Sequence, residues 1–386
     1  MNVRANFETV DDRLRGPASA WFDLVRGLAA VTVVHNHLST RLMVGYGDVE
    51  GGVAAPMQLF YVSTLLGPAA VMIFFVLSGL FVGRSVSRQM LAGRFGWGSF
   101  MTDRLTRLWI VLVPAFALTA GCALLAERVA GVPADDLGLR SLLGNLFFTQ
   151  TILVDAYGGN GPLWSLANEF WYYLAFPLCL GLLLWRGWRR AVAAAAIIAI
   201  GAFVGGSISA YFAIWLAGAI VLFLPGDRLA GRWWAAVGAI GTLGMVALQP
   251  MLAFGRIGPG LEGLALFPVD LALGLAFGLY VHAMIHGGAP TLPDWTSRVA
   301  RWLAGFSFSL YVIHFPILTA AFAFAETRGF TPLQPGIGPI ALEGMLIVLL
   351  CLVAWAFASL TEAHTYRLRK WLGTRRREPE RLLPVP

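Results

Sequence analysis

The sequence predicts an all-α, polytopic integral membrane protein with about ten transmembrane helices in one bundle and no separate soluble domain. Of its 386 residues, 58% are hydrophobic and only 13% are charged. The apolar residues form long uncharged runs, and a run of about 20 such residues is long enough to cross a bilayer as a helix. The sequence contains no internal repeat that would divide it into similar halves.

Ten segments have the composition and length of membrane spans. The long run Ala191–Gly226 is expected to cross twice, with Gly205, Gly206 and Ser207 as the turn. The other eight spans are separated by polar connectors and are Trp21–Leu42, Leu66–Val82, Leu108–Leu125, residues 163–185, Trp233–Phe254, Gly263–Ile285, Val299–Phe324 and Pro339–Leu360.

The connectors divide the chain into a cytoplasmic N-terminal tail (1–20), a transmembrane domain (21–365) and a basic cytoplasmic C-terminal tail (366–386). The N-terminal tail shows no periodic pattern, and the Gly-rich stretch 43–65 is expected to be an exposed loop. The longest connection, 127–162, contains an apolar run that is too short to cross a membrane, so we expect it to be re-entrant or interfacial.

The distribution of basic residues predicts the orientation. With ten spans, 23 of the 28 Lys and Arg residues lie on the side of the membrane that carries both termini. The five on the opposite side are Arg41, Arg128, Arg140, Arg256 and Arg328. The positive-inside rule then places both termini in the cytoplasm. Because nearly all of the basic residues are arginine, we expect a GC-rich bacterial source and a location in the bacterial cytoplasmic (inner) membrane.

The first predicted span carries four ionisable side chains, Asp23, Arg26, His35 and His37. At about 100° per residue, Asp23, Arg26 and His37 share one helical face, whereas His35 points to the opposite side. Pairing of Arg26 with Asp23 is also typical of an anchor at the inner interface, and His37 is equally typical of a hydrogen bond between helices. The chemical alternative is that His37 accepts a proton from a substrate hydroxyl, since imidazole titrates near neutral pH.

Glu169, Asp270 and His314 lie on three other spans, at about the same depth below the outer surface as His37. Ionisable groups within hydrocarbon need partners and often mark substrate or proton sites. We therefore expect these four side chains to share the outer third of the bilayer.

Two aromatic motifs supply candidates for substrate binding. In GPLWSLANEFWYY, Trp164 suits the membrane interface and Ser165 suits a helix cap, but both side chains could also contact a substrate. In FSFSLYVIHFP, Tyr311 and His314 share a helical face with Ser307. These polar side chains either join helices or bind substrate, and the sequence leaves both interpretations open.

The motif DRLTRLW places Arg104 and Arg107 one turn apart at the cytoplasmic mouth of the third span. Anchoring by the positive-inside rule explains this pair fully. Binding of phosphate groups by paired guanidiniums is the alternative, and it would include Arg84 in the same basic region.

Other classes of function are not indicated. The sequence has no P-loop, GxGxxG, HExxH or GxSxG motif. Cys122, Cys179 and Cys351 lie in apolar segments without CxxC spacing, so we expect neither a metal site nor a disulfide. The basic residues follow the membrane topology, so nucleic-acid binding is not expected.

The spacing Arg26-x10-His37 resembles the first-helix motif of the acyltransferase-3 family of integral membrane acyltransferases. Further stretches resemble the family in the same order, and the resemblance spans about residues 20–365; the stretches are FFVLSGLFVGR, DRLTRLW, LWSLANE and SFSLYVIHFP.

This resemblance implies transfer of an acyl group, usually acetyl, from acyl-CoA to a hydroxyl of a carbohydrate, a lipid-linked glycan or another acceptor. Carried over by position, His37 is the catalytic histidine and Arg26 its motif partner. Arg104 and Arg107 are the paired arginines, and Glu169 is the acid that follows the Trp-Ser-Leu sequence.

These expectations combine into one mechanism. The CoA nucleotide docks near Arg84, Arg104 and Arg107, and His37 removes the proton of the attacking hydroxyl. Glu169 or Asp270 stabilises the resulting imidazolium. The main alternative is a ten-span transporter or flippase in which the buried His and acidic residues relay protons or bind substrate.

The orientation can be tested by labelling introduced cysteines in intact cells whose three native cysteines are replaced. Gly51→Cys and Gly158→Cys are expected to react with an impermeant thiol reagent, whereas Gly96→Cys and Thr374→Cys are expected to react only after permeabilisation. Labelling of Gly96→Cys in intact cells would reverse the predicted orientation.

Overall fold

The computed structural model describes residues 3–226, 229–253, 262–287 and 289–372. In these ranges the secondary structure is helical, without a β-strand. The thirteen α-helices are α1 (Val3–Arg13), α2 (Ala18–Leu42), α3 (Ala55–Thr64), α4 (Gly67–Leu91), α5 (Trp97–Ala130), α6 (Leu139–Leu146), α7 (Trp164–Leu184), α8 (Trp188–Val221), α9 (Arg232–Ala253), α10 (Glu262–Gly287), α11 (Asp294–Glu326), α12 (Ile337–Leu360) and α13 (Thr365–Trp371).

The predicted class, an all-α polytopic membrane protein, is confirmed. Among the described residues, eight helices are long and apolar enough to cross a membrane, namely α4, α5 and α7 to α12. The pair α1 and α2, bent by 74°, would be a ninth span. The number ten therefore stays a prediction.

The difference in number concerns α8, where two crossings were predicted. Gly205 has φ 79° and breaks the helix at the predicted turn. A Cβ on Gly201 would lie 3.9 Å from the hydroxyl oxygen of Ser209. In an unbroken helix these two positions would be about 12 Å apart along the axis. The chain therefore folds back at Gly205, but each arm is shorter than the about 20 residues of a typical crossing.

Two expectations about the connectors are wrong. The N-terminal tail is not irregular, because α1 occupies most of it. The stretch 43–65 is not simply an exposed loop, because α3 starts with a proline in its first turn and buries Tyr61 and Thr64. Tyr61 anchors this helix by donating a hydrogen bond to the carbonyl of Val44 at 2.8 Å.

Other expectations about the connectors lie partly outside the described residues. Part of the short apolar run in 127–162 forms α6, which has only eight residues and is not among the helices long enough to cross a membrane. Its re-entrant or interfacial placement stays a prediction. The basic tail is described as far as Leu372 and includes α13. Arg228, Arg256 and residues 373–386, which the orientation argument uses, lie outside the described residues.

The described residues cluster into two compact units. The first contains the described parts of Met1–Ala29, Pro68–Phe95 and Asn168–Ala300. The second contains the described parts of Ala30–Gly67, Gly96–Ala167 and Arg301–Pro386. Four helices, α2, α4, α7 and α11, contribute residues to both units, α4 by its first residue Gly67 alone.

Close backbone approach holds the first unit together. A Cβ on Gly79 of α4 would collide with the carbonyl of Trp215 on α8, and a Cβ on Gly218 would collide with the carbonyl of Val76. Small residues allow such contact between apolar helices in a bilayer. The Trp215 indole is fully buried and donates a hydrogen bond to Ser78 at 3.1 Å.

The distribution of polarity suits a lipid environment. Large apolar side chains such as Leu183, Ile240 and Leu243 are exposed, whereas Asp270 and His314 are buried. Exposed apolar surface of this extent is typical of contact with lipid. The buried polar groups are therefore the places to search for a site.

Candidate active site

The second unit brings His37 and His314 together. His37 lies near the end of α2 and His314 lies in α11, and their ring centroids are 5.3 Å apart with the planes tilted by 31°. His314 is fully buried, and His37 is partly buried. Of the four ionisable groups predicted at one depth, these two form a pair.

The hydrogen bonds of His314 define its tautomer. Its Nδ1 lies 3.0 Å from the carbonyl oxygen of Leu310, which can only accept, so Nδ1 carries the hydrogen. In the neutral ring Nε2 then has a free lone pair, and this buried nitrogen has no hydrogen-bond partner among the described residues. A substrate hydroxyl or another N–H donor would complete its hydrogen bonding.

Arg41 and Phe315 complete this surrounding, and sequence reasoning missed both. The Arg41 guanidinium carbon lies 4.5 Å from the centroid of the Phe315 ring, which packs edge-on against His37 at 5.2 Å. The buried Nη1 of Arg41 has no hydrogen-bond partner in the described part of the chain. Arg41 follows His37 by four residues, and this spacing, which places both on one helical face, could have identified it.

Ser165 and Tyr311 lie in the same unit but bond to each other. Their hydroxyl oxygens are 2.8 Å apart, and Tyr311 also contacts the carbonyl of Pro162 at 2.8 Å. Asn160 adds a bond to the carbonyl of Val312. These bonds fasten the start of α7 to α11, as the helix-joining interpretation expects, and Trp164 begins α7 as a partly buried residue.

A basic group surrounds the first turns of α5. The Arg104 guanidinium lies 5.7 Å from the Phe100 ring centroid, and Arg107 is exposed. Arg369 of α13 donates to the carbonyl of Asp103 at 2.8 Å and lies 3.9 Å from its carboxylate. Sequence reasoning treated Arg369 only as part of a basic tail. The structure brings it to the DRLTRLW motif.

Two predicted residues of the first unit, Arg26 and Glu169, have close partners. Arg26 pairs with Asp23 at 3.2 Å, which is the contact that the anchoring interpretation expects. Glu169 accepts a hydrogen bond from Tyr173, one turn later on α7, at 2.8 Å. Each charge therefore has a local partner within its own helix.

Asp270 and Arg84, also in the first unit, are bonded more extensively. Asp270 accepts hydrogen bonds from Tyr211 at 2.8 Å and from Gln249. Arg84 donates to the Asp11 carboxylate at 2.6 Å and to its carbonyl at 2.8 Å. Burial raises the pKa of the Asp11 carboxyl. The hydrogen bonds and positive charges of Arg88 and Arg84 outweigh this effect, so the pKa lies below its usual value.

The described residues contain no group of three or more His, Cys, Asp or Glu side chains arranged to hold a metal ion. In the second unit, the Phe315 ring joins the imidazole pair to Arg41. An imidazole base, a second imidazole with a free lone pair and a guanidinium whose buried Nη1 has no hydrogen-bond partner among the described residues suit proton removal together with stabilisation of a developing negative charge.

Comparison with known proteins identifies the family. The sequence model of the family described as "Acyltransferase domain" (acyltransferase-3) matches residues 19–359. Nodulation protein 10 of Rhizobium leguminosarum bv. viciae is 32% identical over 206 residues, which cover 47% of this chain and 50% of that relative. The chain thus matches half the length of this relative, and no solved structure matches the chain significantly. Because the family model covers most of the sequence, the chain belongs to the acyltransferase-3 family.

Proposed function

We propose that the protein moves an acetyl or similar acyl group from acyl-CoA to a hydroxyl of a carbohydrate or glycan. The observation that carries this proposal is the pair of His37 and His314 in the second unit. His37 holds the position that resembles the catalytic histidine of the family. Family membership supports acyl transfer, and the donor and the acceptor are parts of the proposal.

In this mechanism His37 acts as the general base. The acceptor hydroxyl attacks the carbonyl carbon of the thioester while its proton passes to the imidazole of His37. The carbon–sulfur bond breaks, and the proton passes from His37 to the departing thiolate. His314 positions the acceptor, because its free Nε2 can accept a hydrogen bond from a substrate hydroxyl.

Arg41 stabilises the charge that develops on the thioester oxygen. A tetrahedral intermediate carries an oxyanion, and fixed donors that face it act strongly in a site with little water. The guanidinium of Arg41 lies against the Phe315 ring, and its buried Nη1 has no hydrogen-bond partner in the part of the chain that the structure describes. This donor is therefore available to the transition state without breaking an existing bond.

The donor nucleotide binds the basic group of α5 and α13 in this proposal. Arg104, Arg107 and Arg369 concentrate positive charge at the predicted cytoplasmic mouth, where the phosphates of acyl-CoA would be recognised. The sequence also predicts a phosphate-binding role for Arg84, but its guanidinium already binds the Asp11 carboxylate. We therefore assign the phosphates to the α5 and α13 arginines.

Replacing His37 tests the base directly. His37→Ala is expected to lower transfer about 10²–10⁴-fold, since that is the contribution of a general base. The measurement is transfer of radiolabel from acetyl-CoA to lipid-linked glycans by purified protein at matched amounts and matched thermal stability. His364→Ala, in the turn before α13, is the control and should retain activity. Full activity of His37→Ala would show that His37 is not the general base, whereas absence of transfer by the wild-type protein would favour the transporter alternative.

Replacing Arg41 tests stabilisation of the oxyanion. Arg41→Gln is expected to lower kcat about 10²-fold, as the loss of one oxyanion donor does, with little change in the KM of either substrate. Arg140→Gln removes an exposed arginine from the same predicted side of the membrane and serves as the control. A rise in KM for the acceptor at unchanged kcat would show instead that Arg41 binds substrate.

Replacing the α5 arginines tests the donor site. The double variant Arg104→Gln and Arg107→Gln is expected to raise the KM for acyl-CoA more than the KM for the acceptor. Membrane insertion is measured in parallel, because loss of anchoring would lower protein abundance instead. Normal insertion with an unchanged KM for acyl-CoA would remove both residues from the donor site.

A further inference from the structure

A second group of reactive side chains lies in the second unit, on the other face of α2 from His37. The Nδ1 of His35 is 2.6 Å from the Oε1 of Glu343 on α12. The Nε2 of the same ring is 3.0 Å from the hydroxyl oxygen of Ser63 on α3. A hydroxyl, an imidazole and a carboxylate are thus joined in that order by hydrogen bonds.

The hydrogen bonds between Ser63, His35 and Glu343 can all be satisfied whether His35 is neutral or protonated. When His35 is neutral with its hydrogen on Nδ1, that hydrogen points to Glu343, and Nε2 accepts the hydroxyl hydrogen of Ser63. When His35 is protonated, Nε2 donates to Ser63, whose hydroxyl then donates to the carbonyl of Phe60 at 2.6 Å. A base that takes and returns a proton needs both states.

The surroundings hold the imidazole in this orientation. The Phe60 ring packs edge-on against His35, with centroids 5.6 Å apart. The Glu343 side chain is 2% exposed, and its Oε2 has no hydrogen-bond partner within the described ranges. A buried carboxylate that is bonded to one imidazole nitrogen orients that imidazole.

Ser63 and His35 are both partly exposed, whereas a histidine that only joins helices in a core would be buried. His35 is 18% exposed, and Ser63 is partly exposed near the end of α3. The other end of α3 borders an open cavity of about 300 Å³ that Met57 and Gln334 help to line. That cavity does not include Ser63, so access of a small ester to the serine rests on the partial exposure of Ser63 and His35.

We propose that Ser63, His35 and Glu343 form a second acyl-transfer site, in which Ser63 is the nucleophile toward carboxylic esters and thioesters. The Ser63 oxygen bonds to the acyl carbon while its proton passes to Nε2 of His35. The bond from the acyl carbon to the leaving oxygen or sulfur breaks, and the leaving group takes the proton from Nε2.

The acyl-serine is then released by the reverse sequence. A water molecule or an acceptor hydroxyl attacks the acyl carbon, and its proton passes to Nε2. The ester bond to Ser63 breaks, and the serine oxygen recovers the proton from His35. The products are a free acid when water attacks and a new ester when a hydroxyl attacks. Glu343 keeps its charge throughout and acts by positioning His35.

This site does not depend on the function proposed for His37. The two histidines are two residues apart on α2 and therefore differ by about 200° around the helix. The reaction of Ser63 with a simple ester requires neither acyl-CoA nor a glycan. Failure of one proposal therefore leaves the other standing.

The test uses a fluorophosphonate probe and p-nitrophenyl acetate with the purified full chain in detergent. The probe is expected to label Ser63, identified by mass spectrometry, and p-nitrophenyl acetate is expected to be hydrolysed. Ser63→Ala and His35→Ala should each lower both rates at least about 10²-fold. Ser99→Ala is the control, because Ser99 is exposed and also bonds to the carbonyl three residues earlier, at 3.1 Å.

Two further variants separate chemistry from folding. His35→Gln keeps polar groups near Ser63 and Glu343 but cannot carry the proton, so it should retain the thermal stability of the wild type and lose labelling. Glu343→Gln should lower the rate of labelling and change its pH profile, whereas loss of a merely structural bond would leave that profile unchanged. Absence of label on Ser63 in stably folded wild-type protein, or equal labelling of His35→Gln, would overturn the proposal.

Discussion

The free-energy cost of burying ionisable groups among apolar helices organises the polar interior of this protein. An ionised side chain at the bilayer centre costs about 3 kcal/mol on insertion scales, and the cost falls when the group is paired. Asp270 illustrates the paired case, because Tyr211 and Gln249 both donate to its carboxylate. His314 and Arg41 illustrate the other case, since each has a buried nitrogen without a partner among the described residues. Those two atoms mark where a polar substrate would complete the hydrogen bonding.

Helix α2 carries most of the chemistry because one helix presents different side chains to different neighbours. His37 faces α11, where it meets His314 and the Phe315 ring. His35, two residues earlier, faces α3 and α12, where it meets Ser63 and Glu343. The same residue type thus has aromatic and imidazole neighbours on one side and a carboxylate and a hydroxyl on the other. The neighbours, rather than the residue type, determine what each imidazole can do.

Periodicity and composition were sufficient to predict the fold class and most helices, because apolar runs of span length have few alternatives in a bilayer. They also predicted that His37 and His314 lie at one depth. Tertiary partners were not predictable: nothing in the sequence joins His35 to Glu343, 308 residues later. The helix α3 was missed because its segment is short and follows a Gly-rich stretch. Arg41 could have been predicted to lie beside His37, because residues four apart share a helical face. From the sequence alone, its charge was interpreted only as an indicator of membrane orientation.

The position of α2 also constrains how the two sites can work together. The helix is continuous from Ala18 to Leu42 and is therefore expected to move as a rigid element over the roughly half turn that separates His35 from His37. A displacement that tightens the contact of one imidazole with its neighbours must shift the other imidazole as well. Such coupling does not require a chain of intermediate residues, because both sites depend on the same element.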